Sequence, residues 1–201
     1  NKKSLFKKLD GINNLKIIIN LAAYTNVEFA ESKKFLNSSV NVSGVENICN
    51  YISKRKNIFL IHISTDYVFD GKKKGIYIET DKTNPLNSYG LSKLKAEKII
   101  IKKLNKYIIL RSSWIFSKEK STFFNFIDQS IKNKKQVKLI KDLNGNPTSA
   151  KSLSRAIIKI LYFYLSKNKI KYGVYHFCNH PNTNWFFLGK YYAKLKKYNL
   201  N

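Results

Sequence analysis

The sequence predicts an α/β fold built on a doubly wound parallel sheet, and three features carry that prediction. Short β-branched runs alternate with longer amphipathic stretches over most of the 201 residues. The runs are apolar throughout and do not alternate, as strands covered on both faces require. Polar clusters follow them, at Ala22-Ala23-Tyr24-Thr25, Ser64-Thr65-Asp66-Tyr67 and Ser112-Ser113-Trp114. In a right-handed parallel sheet those clusters share one edge, the carboxyl edge where ligands bind.

The elements follow in order. Residues 16–21 form a β-branched run read as the first strand, and a helical pattern covers 28–54 with a break near Asn37. Residues 58–63 are the next buried strand. A long loop over 66–87 carries turn residues at Asp70-Gly71 and Asn84-Pro85. A helix over 88–104 leads to a strand at 107–111. Beyond it the pattern predicts a helix over 122–132, a short strand at 137–140, a helix over 151–166, a strand at 174–178 and a final amphipathic helix from about residue 184.

Composition narrows the function classes. With 43% apolar residues the chain is not disordered. Its apolar runs fall far below the ~20 residues of a membrane span. The basic first ten residues have no apolar core and no small-residue cleavage site, so they do not read as a secretion signal, and a cytoplasmic protein is expected. The net charge of +26 would place nucleic acid first among partners. Against that, 35 of the 38 basic residues are Lys, spread over almost every exposed segment, and only Arg55, Arg111 and Arg155 offer the bidentate fork. With 23 Asn and 24 Ile beside 7 Ala, the profile is that of a chain drifting toward AT-rich codons. No specific nucleic-acid partner is expected. The Lys72-Lys73-Lys74 run reads as solvated.

Two cysteines, Cys49 and Cys178, are too few for a disulfide framework or a Cys-rich metal site and read as reduced core residues. His62 lies inside an apolar strand and reads as packed or backbone-bonded. His176 and His180 have no acidic partner nearby, and no metal is expected.

The chemistry-bearing pair is Tyr89 and Lys93. Four residues apart at the start of a helix, they project from one face. A free tyrosine has a pKa near ~10, and a neighbouring ammonium would pull it toward the working range. Thr65, delivered by the preceding strand end, would add a hydroxyl, so three groups could surround one carbonyl oxygen. Ketone reduction needs that arrangement.

These residues sit in longer segments that resemble a known family. Asn20 to Glu31 reads Asn-Leu-Ala-Ala-Tyr-Thr-Asn-Val-Glu-Phe-Ala-Glu, and His62 to Gly71 reads His-Ile-Ser-Thr-Asp-Tyr-Val-Phe-Asp-Gly. Asn84 to Glu97 reads Asn-Pro-Leu-Asn-Ser-Tyr-Gly-Leu-Ser-Lys-Leu-Lys-Ala-Glu; Leu110 to Phe116 and Gly145 to Thr148 continue the pattern. Together they resemble the dTDP-4-dehydrorhamnose reductases, members of the extended short-chain dehydrogenase/reductases. The resemblance implies a Rossmann-like sheet with part of a small substrate-binding lobe, NADPH or NADH as cofactor and a dTDP-sugar as substrate. It implies that Tyr89 protonates the sugar C4 oxygen, that Lys93 bonds the nicotinamide ribose and tunes Tyr89, and that Thr65 donates to the same oxygen. Ala22, Ala23, Tyr24 and Thr25 would pass along the cofactor, and Thr65, Asp66 and Trp114 would contact substrate.

Related folds supply the alternatives: a regulatory subunit like the methionine adenosyltransferase beta subunit, or another nucleotide-sugar epimerase or dehydratase. A homodimer is compatible with the sequence, which carries no signal for the oligomeric state and none for NADH against NADPH.

A dinucleotide fold opens with a strand and a Gly-rich turn that holds the pyrophosphate. No Gly-x-x-Gly-x-x-Gly occurs here, and the first glycine is Gly11. The expectation is a chain that lacks the first βαβ unit and stops within the substrate lobe. Residues 1–142 would be an incomplete NAD(P)-binding domain, and 143–201 the remaining elements with the start of the lobe. These 201 residues alone are then expected to bind nicotinamide cofactor poorly. Titration with NADH or NADPH, followed by nicotinamide fluorescence, should show no tight binding; a low-micromolar dissociation constant would refute this.

Overall fold

The computed structural model describes residues 1–55, 57–117, 122–166 and 169–198. In chain order the elements are α1 (Lys2–Asp10), β1 (Ile17–Asn20), α2 (Val27–Ser32), α3 (Lys34–Ser38), a π-turn (Ser39–Ser43), α4 (Gly44–Ser53), β2 (Phe59–Thr65), a 3-10 turn (Asp66–Val68), α5 (Ser88–Lys103), β3 (Tyr107–Ser112) and β4 (Ile115–Phe116). They continue through α6 (Thr122–Lys132), β5 (Asn144–Gly145), β6 (Thr148–Ser149), α7 (Ala150–Leu165), β7 (Gly173–His176), β8 (Thr183–Asn184) and α8 (Trp185–Leu195).

The chain divides into two compact units, Asn1–Ser112 with Lys167–Phe177, and Ser113–Ser166 with Cys178–Asn201. β7 returns to pair with β3 and so belongs to the first unit's sheet.

The first unit holds the four-stranded sheet, in order β1-β2-β3-β7 and parallel throughout. Ile17, Ile18 and Ile19 stand beside Phe59, Leu60 and Ile61, and Ile61 and His62 beside Ile108 and Ile109. β-branched residues on both faces suit strands that helices cover twice. The core joins Val45, Cys49 and Ile52 of α4 to Ala96 and Ile100 of α5 over Leu60 and Ile109. Burying these side chains is the main term that fixes α5 on β2. Asn87 starts α5: its side chain accepts from Gly90 N at 2.7 Å, satisfying one of the four orphan donors of a helix start.

Four details depart from the sequence reading. The helical pattern over 28–54 breaks at Lys33 and again at the π-turn, so that Asn37 ends buried beside Asn41. Residues 2–10 form a helix capped by the Asn1 side chain; its four lysines hid an apolar face on which Phe6 and Leu9 reach the core. Residues 137–140 are not a strand. In the second unit Leu139 lies over Gly189 of α8, Ile140 is exposed, and a single backbone bond, from Phe186 N to Ile140 O, makes no ladder. Cys178 is half-buried, while Cys49 is buried in the core.

The second unit is built from α6, α7, α8 and two short ladders, β4 with β6 and β5 with β8. Tyr192 and Tyr198 both donate to Asp128, tying α8 to α6. Among the described residues no helix is long and apolar enough to cross a membrane.

Candidate active site

β1, β2 and β3 run parallel, so Asn20, Thr65 and Ser112 end at one edge. β2 ends directly in the 3-10 turn: the Thr65 hydroxyl accepts from Tyr67 N at 3.2 Å and donates to Asp66 Oδ1 at 3.0 Å. α5 then brings the Tyr89 phenol close to the Thr65 hydroxyl at the end of β2. The rings of Tyr89 and Tyr67 meet edge to face with centroids 5.9 Å apart.

Gly90 makes this approach possible. A Cβ there would lie 2.2 Å from the Tyr67 carbonyl oxygen and 3.1 Å from Pro85 Cβ, so the turn after β2 can touch α5 only over a glycine. Gly90→Ala is expected to destabilise the protein by about 1–3 kcal/mol through overpacking. An unchanged denaturant midpoint would show that the turn yields freely.

Lys93 is buried, only 2% exposed. Its Nζ donates to Ile63 O at 2.6 Å and stands 3.3 Å from His62 Nε2. It is therefore turned toward β2, and this corrects the expected electrostatics. Burial pushes the Tyr89 phenol up to about 12, the Thr65 hydrogen bond opposing and the charges of Asp66 and Tyr67 adding to it. Burial also brings Lys93 down to about 8, against Glu97. The phenol is thus held protonated at neutral pH, the form a proton donor needs.

Asp66 behaves in the opposite sense to an exposed carboxylate. Burial lifts it from 3.8 to about 6, although the Thr65 hydroxyl and the backbone N–H groups of Asp66 and Tyr67 pull it down. A carboxyl whose folded pKa exceeds its unfolded value favours the folded state at low pH, and that contribution is lost as pH rises through 6. Asp66→Asn is therefore expected to stabilise the protein at neutral pH by on the order of 1–2 kcal/mol. The gain should vanish as pH falls from 6 to 4; unfolding midpoints across that range decide it.

The strand end after β1 is held by two asparagines. Asn41, in the π-turn, accepts from Tyr24 N at 2.8 Å and donates to Tyr24 O at 3.1 Å. Its amide also reaches Asn37 Oδ1 and Ser92 Oγ, at 2.8 and 3.0 Å. Asn20 Oδ1 accepts from Ala22 N at 3.2 Å. Between these anchors Ala22 and Thr25 are exposed, and Ala23 and Tyr24 half-buried. The small side chains leave backbone open at the sheet edge, which suits a ligand that lies along it.

Beneath the site lies an ion pair that the sequence reading missed. Arg111 donates from Nε to Glu97 Oε1 at 3.0 Å and from Nη2 to Oε2 at 2.7 Å, and Ser64 donates to Oε1 at 2.5 Å. Glu97 is 1% exposed and Arg111 6%. Arg111 Nη1 also donates to Glu79 O at 3.3 Å. The available signal was a charge at each end of an apolar pattern: Arg111 closes an Ile-Ile-Leu strand, and Glu97 falls one turn after Lys93 on the inner face of α5. His62 is buried as expected, but side chains bond it and not the backbone: Asn20 Nδ2 lies 3.0 Å from its Nδ1.

Thr65, Asp66, Tyr89, Lys93 and the 22–25 segment all belong to the first unit, and Trp114 to the second. There Trp114 adopts φ +43°. Its ring stacks on Trp185 with centroids 3.8 Å apart and lies against Gly145, where a Cβ would come within 2.4 Å of the indole. Trp114 is half-buried within an aromatic group completed by Phe123. Among the described residues no three His, Cys, Asp or Glu side chains cluster as metal ligands would.

The family described as RmlD substrate binding domain matches residues 1–199. A dTDP-4-dehydrorhamnose reductase from Aggregatibacter actinomycetemcomitans is 37% identical over 186 residues, 92% of this chain and 63% of that protein. One from Escherichia coli strain K12 is 34% identical over 170 residues, 85% of this chain and 56% of that protein. The chain thus spans less than two thirds of the length of these relatives. A crystal structure of dTDP-4-dehydrorhamnose reductase from Bacillus anthracis in complex with NADP superposes with TM-score 0.89 at 30% identity, covering 100% of this chain and 69% of that one.

Proposed function

The chain belongs to the RmlD substrate binding domain family, and from that premise we propose that it is part of an NAD(P)H-dependent reductase of the C4 ketone of dTDP-4-dehydro-L-rhamnose. The observation that carries the reading is the meeting of Thr65, Asp66, Tyr89 and Lys93 at the carboxyl edge of β2, in a chain 37% identical to a reductase of that name.

The chemistry divides simply. The reduced nicotinamide supplies a hydride when bound; the protein supplies the proton and the geometry. Tyr89 gives its phenolic hydrogen to the C4 oxygen, so that carbonyl becomes hydroxyl. Burial keeps the phenol protonated, so that it carries the proton to be given. Thr65, beside that phenol, would turn its hydroxyl hydrogen from Asp66 to the same oxygen and stabilise the charge that grows on it. Lys93 would reach the nicotinamide ribose, and Ala22, Ala23, Tyr24 and Thr25, three of them small and their backbone fixed by Asn41 and Asn20, would lie along the dinucleotide. Asp66 and Trp114 would contact the sugar nucleotide. NADP in the Bacillus anthracis structure favours NADPH. A homodimer and a cytoplasmic location belong to the same reading; light scattering tests the first.

The direct test supplies dTDP-4-dehydro-L-rhamnose and NADPH to the protein carrying this chain at the length of its relatives. Reduced nicotinamide should be consumed and dTDP-L-rhamnose formed. No consumption with this substrate, or faster consumption with a UDP-linked ketose, would overturn the proposal.

A further inference from the structure

The loop between β2 and α5 is knitted to itself by side chains. Asp70 accepts from the Tyr77 hydroxyl at 2.8 Å, from Lys72 N at 3.0 Å and from Asn84 Nδ2 at 3.1 Å. Asp81 accepts from Ile78 N at 2.7 Å and from Lys73 Nζ at 2.6 Å. Asn84 N donates to Val68 O at 2.9 Å and brings the loop's ends together. A loop packed on its own side chains behaves as one body, so whatever fixes its middle also fixes its ends. Both ends belong to the site. The first is the turn Asp66–Val68, whose Tyr67 N donates to the Thr65 hydroxyl. The second leads through Pro85 to Asn87, the cap of α5 two residues before Tyr89.

The middle of the loop is gripped from the sheet by His176, the last residue of β7. Glu79 Oε1 accepts from the His176 backbone N–H at 2.8 Å, across 97 residues of sequence. The imidazole grips the loop a second time. Its Nδ1 lies 3.2 Å from Tyr77 O, and because a carbonyl oxygen only accepts, Nδ1 carries the hydrogen. In the neutral ring Nε2 is then an acceptor, and Arg111 Nη1 stands 3.4 Å from it. Burial holds the ring below the ordinary histidine range, with Glu79 opposing and Arg111 adding to it, so the neutral form dominates at neutral pH. The same Nη1 donates to Glu79 O at 3.3 Å, while Nε and Nη2 of Arg111 bond Glu97 on α5. Phe69 lies at the centre: stacked on Tyr77 at 4.3 Å between centroids, edge to face with His176 at 5.6 Å, and 5.1 Å from the Arg111 guanidinium.

We propose that Glu79 and His176 are positioning residues for the reaction: they clamp the loop to β7 and Arg111, and the clamp sets the turn of Thr65 and Tyr67 against Tyr89. The path is short, since Phe69, held by the clamp, is two residues from Tyr67. Only the effect on turnover rests on the reading of Tyr89 as proton donor; the clamp is a property of the free protein. Glu79 is exposed, so a variant there leaves the packed interior untouched.

The test uses the protein carrying this chain at the length of its relatives, at neutral pH. Glu79→Ala should speed amide hydrogen exchange roughly tenfold at His176 and over residues 67–69, the effect of losing one charge-assisted hydrogen bond. It should lower kcat for the 4-keto sugar nucleotide by about 10- to 100-fold through misplacement of the site, with KM for NADPH unchanged. Glu79→Gln, whose carbonyl accepts the same N–H, should recover most of both losses. His176→Phe keeps a ring against Phe69 without either nitrogen and should match Glu79→Ala. Unchanged exchange over 67–69 in Glu79→Ala overturns the proposal. So does faster exchange with kcat unchanged, Glu79→Gln no better than Glu79→Ala, or a folded His176→Phe that matches wild type. Should His176→Phe fail to fold, the two Glu79 variants decide. If the wild-type protein does not reduce the ketone, the reductase reading falls by itself, and exchange over 67–69 alone decides the clamp.

Discussion

Tyr89→Phe is expected to reduce turnover of the 4-keto sugar nucleotide by about 100- to 10,000-fold, the usual worth of a positioned general acid, while cofactor affinity stays unchanged. The phenol packs edge to face on Tyr67, and phenylalanine keeps that ring contact. What is lost is the hydroxyl beside Thr65 and, with it, the proton for the C4 oxygen. The loss should fall on kcat and kcat/KM alike, since the proton moves only in the transition state. Steady-state kinetics on the protein at the length of its relatives, with nicotinamide binding followed separately, checks both halves. Full turnover in Tyr89→Phe would remove Tyr89 from the chemistry; lost cofactor binding would assign it a different task.

The catalytic candidates were legible in the sequence because each is tied to a local signal: Tyr89 and Lys93 to helical spacing, Thr65 and Asp66 to the end of a buried strand. The parallel sheet was legible for the same reason, since doubly covered strands are continuously apolar. The direction of the Tyr89 pKa was not. Spacing puts Lys93 one turn from Tyr89, but where its four-carbon stem points depends on the Ile63 carbonyl and His62, partners thirty residues away in sequence. Asn41 was equally invisible: its role follows from a π-turn that interrupts a helix, a feature often found beside functional sites. The 137–140 segment misled in the opposite direction. Its apolar residues look like a strand, yet Leu139 packs on Gly189 and Ile140 is exposed, with no ladder formed.

The largest effect on stability is expected from Glu97→Ala. Arg111 would be left buried and charged, with Ser64 deprived of its acceptor. Removing one partner of a buried pair costs about 3–5 kcal/mol. The midpoint of denaturant unfolding should fall with the slope unchanged. The double variant Glu97→Leu with Arg111→Met separates the two terms in that loss. If the penalty is mainly an uncompensated guanidinium, an apolar pair of similar volume recovers most of it. If the pair also fixes the end of β2 through Ser64, the double variant regains stability but not the Thr65–Tyr89 alignment, and turnover stays low. Recovery of both would mean that packing alone sets the strand end and the ion pair serves no positioning purpose.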